Sequence, residues 1–334
     1  MKRIQLNMMK SAVIALFVVL LGSCGEERGA SLPMSNGALH EIVIVHNLQS
    51  FDSSAYGKRI RSYFEREMDG LANSEQEYNL VVIPSSAFGG ILERHSKIIV
   101  LNTNDLSANK PSYQAVADKW AKNQLLIKIN TANVEDFNTL MDAQEETIDY
   151  VIHEFDMKLE KIKNKSKENK NFTQFIQSNF GVGMTIPKRF RLAVQKEDFA
   201  WFRYETQSTS EGIMIHREPY TNEASFDYGY IIAKRDSVTK QYIPGPTEGS
   251  YMSVNPIYPQ TQETFLIDSA YTVETKGLWH LEQEYMGGSF VSYTIHNQKR
   301  NEILTIEAFV HAPNKEKRMF MLDLEGILKT IELN

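Results

Sequence analysis

The residue types able to do chemistry are eight histidines, one cysteine and scattered serines and carboxylates. Their spacing limits them sharply. A zinc protease helix needs two histidines one turn apart and a glutamate base. His153-Glu154 offers the first pair, but the second histidine position holds Met157. The nucleophile-elbow pattern Gly-x-Ser-x-Gly does not occur. Ser-x-x-Lys occurs at Ser107–Lys110 and Ser237–Lys240, yet the companion Lys-Thr-Gly is met only by Thr275-Lys276-Gly277, in the wrong order. Gly181-x-Gly183 lacks the third glycine of a dinucleotide loop. His46 and His216 close apolar strands, where a core or rim histidine is expected. No catalytic residue, metal-ligand set or cofactor is assigned.

The single cysteine is better placed. One cysteine excludes disulfides and multi-cysteine metal sites within a monomer. It follows Lys2, Arg3 and Lys10 and an apolar run from Ser11 to Leu21, which is signal-peptide length and too short to span a bilayer comfortably. The segment Leu21-Gly22-Ser23-Cys24 resembles a bacterial lipobox. That likeness implies cleavage after Ser23 and acylation of Cys24, and two or three acyl chains anchor stably. Residues 1–23 are then a lipoprotein signal peptide and residues 24–37 a small, polar tether. The expected address is the outer membrane, on its periplasmic or cell-surface face. The adjacent Glu26-Glu27 fits a surface-export signal and a solvated linker equally well.

Two irregular stretches remain as ligand-binding candidates. The turn-rich run from Tyr242 to Met252 fixes an unusual backbone path on which Glu248, Ser250 and Tyr251 are held. Trp279, Glu282 and Met286-Gly287-Gly288 form the second, since paired glycines let a ligand approach the backbone. Arg235, beside Asp236 on a helix, would complete such a site. Each residue also has an ordinary structural explanation, a turn glycine or a helix-surface charge pair. The missing motifs favour a non-catalytic binding or assembly module for an envelope protein, peptide or glycan. The alternative is an envelope-polymer hydrolase in which Glu248 and Glu282 act as a carboxylate pair, a geometry that requires about 5–10 Å between them.

The elements that must position these residues are legible from periodicity. Short β-branched runs at 41–45, 80–83, 98–101 and 125–129 predict strands, and Ser54 to Leu71 predicts a helix. A long helix is expected from Val134 to about Lys163, capped by Asn133, with Phe137, Leu140, Met141, Ile148 and Ile152 in one stripe. The lysine-rich stretch from Lys158 to Lys170 reads as its solvated end and a linker. Beyond it, strands are expected at 191–194, 199–204 and 212–216. A helix from Ala224 to Lys240 would carry Phe226, Tyr230, Ala233 and Ser237 on one face. Strand material then follows within 265–278, and a hairpin from Phe290 to Val310. In its second strand Leu304, Ile306, Ala308 and Val310 share one face. A last helix opens at Pro313 and turns Phe320, Leu324, Ile327, Leu328 and Ile331 inward.

The fold class is therefore α+β: two α/β lobes, residues 38–167 and 168–334, with helices packed on mixed or antiparallel sheets. The 42% hydrophobic content is enough for a core in each. Net charge is -6, and loss of Lys2, Arg3 and Lys10 with residues 1–23 takes it to -9. No basic surface for nucleic acid is expected.

Several landmarks resemble one family: Pro84-Ser85-Ser86-Ala87-Phe88, Ile186-Pro187, Arg235-Asp236-Ser237, the 242–252 loop, Gly277-Leu278-Trp279, Met286-Gly287-Gly288, Phe290 to Tyr293 and Phe309 to Pro313. It is a family of Bacteroidota lipoproteins described as domain of unknown function 4837. The resemblance implies an envelope address and carries no functional residues. The second lobe is also similar to the α/β/α sandwich of photosystem-extrinsic PsbP-like proteins, through its Ile186-Pro187 strand entry and strand order.

Overall fold

Runs of isoleucine and valine become buried strands because both of their faces are covered. The structure is a computed structural model and describes residues 31–103 and 110–333. In the first lobe β1 (Glu41–His46), β2 (Asn79–Pro84), β3 (Lys97–Thr103), β4 (Ser112–Ala117) and β5 (Leu125–Thr131) form a sheet in the order β2-β1-β3-β5-β4. All neighbours are parallel except β4 against β5. Helices α1 (Ala55–Phe64) and α2 (Val134–Ser166) cover one face, where Ile42, Ile44, Ile99 and Ile127 meet Ile60, Phe64, Phe137 and Ile148. On the other face Val43, Val45, Ile98 and Leu126 meet Phe88 and Trp120. A mostly parallel sheet buried this way reads as continuous apolar runs rather than alternation.

Both helices begin as their caps dictate. Ser54 accepts from Gly57 N at 3.0 Å, and Asn133 accepts from Asp136 N at 2.9 Å. α1 ends at Phe64, not at Leu71. The chain there doubles back, with Met68 N donating to Glu75 O and Glu77 N to Arg66 O.

The second lobe is built on an antiparallel sheet. Its strands are β7 (Arg191–Gln195), β8 (Phe199–Glu205), β9 (Ser210–Pro219), β10 (Met252–Val254), β12 (Ala270–Leu281), β13 (Gly287–Asn297) and β14 (Glu302–His311), in the order β10-β12-β13-β14-β9-β8-β7. β11 (Thr261–Ile267) also pairs with β12, and β6 (Val182–Gly183) with β15 (Glu332–Leu333). One face carries the main apolar core. Phe202, Ile215, Val291, Ile306 and Val310 pack there on α3 (Lys170–Phe180) and α5 (Arg318–Leu328). The other face carries α4 (Tyr228–Tyr242), which completes an α/β/α layering within an α+β fold.

α3 and β4 lie where periodicity predicts no element, α4 begins four residues after the predicted Ala224 because Glu223–Phe226 is a 3-10 turn, and α5 begins five residues after Pro313. The Lys158–Lys170 stretch is helical to Ser166 and ends against α3.

α2 belongs to both lobes. Its first half lies in the first core, while Asn164 donates to Asp323 O at 3.2 Å and Lys163 pairs with Asp323 at 2.8 Å. Gly326 of α5 lies against Glu160, where a Cβ would collide. Lys97 and Asp156, both buried, pair within the first lobe, and Tyr78 OH donates to Asp156 at 3.0 Å. The described residues from Met34 onward form one compact unit. Among the described residues no helix is long and apolar enough to cross a membrane.

Candidate functional site

Register brings the two irregular stretches together. β10 pairs with the end of β12, setting Met252 against Leu281 and Val254 against Trp279. Glu282 N then donates to Tyr251 O at 2.8 Å, and Thr247 bonds the Glu284 carboxylate. The 242–252 loop closes on itself: Gly245 N donates to Ser250 O, Ser250 Oγ to Thr247 O at 2.7 Å, and Pro244 bridges Tyr251. Lys240 Nζ lies 4.4 Å from the centre of the Tyr251 ring. Glu282 accepts from Ser253 Oγ at 2.7 Å and stands 3.2 Å from His280 Nε2, while Glu248 is exposed at the turn. Gly288 lies opposite Trp279, and a Cβ there would collide with the Val310 carbonyl, so strand packing accounts for it. His311 Nδ1 lies 2.7 Å from Gly287 O. The candidates thus meet, but as a hydrogen-bonded turn and strand edge. Neither of the two cavities described below is lined by Glu248, Tyr251 or Trp279.

Arg235 turns inward. It is 2% exposed, and its Nε and Nη2 donate to the two oxygens of Glu307, which is 0% exposed, at 2.8 and 2.7 Å. Its guanidinium lies 4.2 Å from the centre of the Phe290 ring, and neighbouring Asp236 accepts from Val254 N. Burial raises the Glu307 carboxyl above its ordinary range, and Arg235 opposes that rise. The pair clamps α4 to the sheet. The polar sheet face beneath α4 also carries His216, Ser292, Thr294 and Thr305 around a cavity of about 10 Å³.

The roomier concavity lies between the lobes. A cleft of about 630 Å³ has Asn73, Ser74, Gln76 and Asn79 on one wall and Asn314, Lys315 and Glu316 on the other, with Glu75 and Arg318 at its base. Glu75 supplies the cap that α5 lacks locally, its two oxygens accepting from Lys317 N at 2.8 Å and Arg318 N at 2.9 Å. A carboxylate at a helix N-terminus satisfies orphan donors and complements the dipole. Arg318 bonds the Gln76 carbonyl, and its buried Nε meets no protein partner. No motif announces this site, because its halves are ordinary polar loops far apart in sequence. Glu75→Ala is expected to lower stability by about 1–2 kcal/mol, the usual worth of a cap, with Glu75→Gln losing less. Urea titration checks this, and an Ala variant with an unchanged midpoint would refute the capping role.

Among the described residues no cluster of three or more His, Cys, Asp or Glu could hold a metal ion. Cys24 and Ser107 lie outside the described residues.

No curated protein matches the chain. Among solved structures, the Saccharomyces cerevisiae Ran-binding protein Mog1p is similar with TM-score 0.31 and 8% identity, over 46% of this chain and 89% of that one. A mutant form of Mog1 gives TM-score 0.31 and 10% identity over 46% and 90%. These similarities are too distant to carry an argument. Residues 35–165, which include Pro84 to Phe88, match the family model described as Domain of unknown function (DUF8532). Residues 168–330 match that of Domain of unknown function (DUF4837), the family that the sequence landmarks resemble.

Proposed function

We propose that the chain is a membrane-tethered, non-catalytic binding module that holds an envelope protein, peptide or glycan in the cleft between its lobes. The observation supporting this most directly is the cleft's lining. Exposed carboxamides, which both donate and accept hydrogen bonds, surround a buried guanidinium with an unpaired Nε. Concavities of this volume suit ligands of a few hundred daltons or a short segment of a larger partner.

The tether rests on the sequence from Met1 to Cys24. Wild-type protein is expected to fractionate with outer membranes and to incorporate labelled palmitate. Cys24→Ser is expected to do neither, and a variant still held at the membrane would refute the anchor. For the cleft, mature protein is immobilised and exposed to envelope extract. Combined Asn73→Ala, Asn314→Ala and Lys315→Ala substitution is expected to weaken capture at least about tenfold, roughly 1.4 kcal/mol. Glu248→Ala, on the other candidate loop, should leave capture intact. The opposite ranking would move the site to the 242–252 loop.

A further inference from the structure

The face of the second sheet under α4 carries a polar patch beside the apolar cluster of Phe199, Trp201, Met214, Phe290 and Phe309. Register sets His216 of β9 opposite Thr305 of β14, and Thr305 opposite Thr294 of β13. One step along, Glu307 lies opposite Ser292. Directly opposed residues stand about 5 Å apart, so these side chains form one patch. α4 closes over it through Ile231 and Arg235 and leaves the cavity of about 10 Å³ between helix and sheet.

His216 is the group this arrangement does not satisfy. Its ring is buried, and neither Nδ1 nor Nε2 meets a protein partner. Interior polar groups nearly always have one. The neighbouring charges are already committed: Glu307 to Arg235, and Glu218 to Lys234 at 2.8 Å and Tyr230 OH at 2.9 Å.

We infer that this cavity is a binding site for a single ordered water molecule, bonded to an imidazole nitrogen of His216 and to the surrounding serine and threonine hydroxyls. The volume corresponds to about one water-sized sphere. Because the nearby charges cancel in pairs, the space has no net charge with which to hold an ion. The chemistry also matches. Burial, reinforced by Lys234 and Arg235, keeps the imidazole neutral, with its pKa held near 3. A neutral ring offers one donor and one acceptor, and water can serve either. The hydroxyls supply the further partners a buried water requires.

High-resolution crystallography of the whole chain is expected to show one density peak about 2.7–3.2 Å from a His216 ring nitrogen and from at least one hydroxyl. A well-ordered cavity without density would overturn the inference. So would entry of pressurised xenon, which fills dry cavities. In solution, nitrogen NMR of wild type should show one neutral His216 tautomer. Thr294→Val with Thr305→Val should abolish the peak and return the ring to exchange between tautomers. Ring shifts unmoved by that change would overturn the inference independently of any crystal.

Discussion

Replacing Arg235 with methionine is expected to destabilise the fold by about 3–5 kcal/mol, the usual consequence of leaving a buried charge without its partner. Glu307 is fully buried, and Arg235 donates to both of its oxygens. Arg235→Met with Glu307→Leu should recover most of the loss, because the desolvation problem disappears with both charges. A double-mutant cycle in urea measures the coupling. The single-variant penalty should also depend on pH. Glu307 already has its carboxyl raised by burial, and loss of Arg235 raises it further. A carboxyl raised in the folded state contributes stability at low pH and loses it as pH rises through the folded value. Arg235→Met should therefore be closer to wild type in mild acid than at pH 8. If Arg235 instead held a ligand at an open site, the variant would lose binding with its urea midpoint unchanged.

The same pair shows where the sequence was legible and where it was not. β14 could be read residue by residue: Leu304, Ile306, Ala308 and Val310 lie in the apolar core, and Thr305, Glu307 and Phe309 face α4. The α2 stripe and its Asn133 cap were equally plain, because a helix that straddles a large core must be amphipathic. α4 was not. The face read from sequence, with Tyr230, Ala233 and Ser237, is exposed, and the buried residues are Ile231, Arg235, Val238 and Thr239. Periodicity finds the apolar side of a helix, and here Arg235 and Thr239 share the covered side with Ile231 and Val238. Arg235 consequently read as a surface charge. The interlobe cleft was hidden for another reason. The cap that joins Glu75 to Lys317 and Arg318 connects residues about 240 positions apart, and neither loop has a composition that signals the other. Spacing within a motif reveals a site only when one segment carries it. Whether the stretches around Glu248, Trp279 and Arg235 meet was equally beyond spacing within one segment. β10–β12 pairing gathers the backbone, Trp279 and Arg235 both reach the cluster around Phe290, and Glu248 stays exposed at the turn.

Acidification is expected to loosen the polar layer beneath α4. The groups facing His216 are Glu218 on its own strand, Glu307, Thr305, Thr294 and Ser292 on the neighbouring strands, and Tyr230, Lys234 and Arg235 on α4. Burial, followed by the two cations, lowers its pKa from 6.5 to about 3. The unfolded chain therefore binds a proton between these values that the folded chain refuses. Stability is intact above pH 6.5 and falls as pH drops toward 3. For one proton the slope approaches about 1.4 kcal/mol per pH unit, and the full loss is on the order of 5 kcal/mol. Glu77 acts with the opposite sign. Burial and nearby Asp149 raise its carboxyl to about 7 against the pull of Arg66, so its contribution is present below pH 4.5 and lost as pH rises through 7. Urea midpoints between pH 7.5 and 4 separate the two. His216→Leu should flatten the acid decline relative to wild type, and Glu77→Gln should steepen it. A His216→Leu profile parallel to wild type would mean that the imidazole titrates normally, which requires water or an anion to reach it freely from outside. In that event α4 would be a mobile cover over an accessible polar floor rather than the clamp that Arg235 and Glu307 describe.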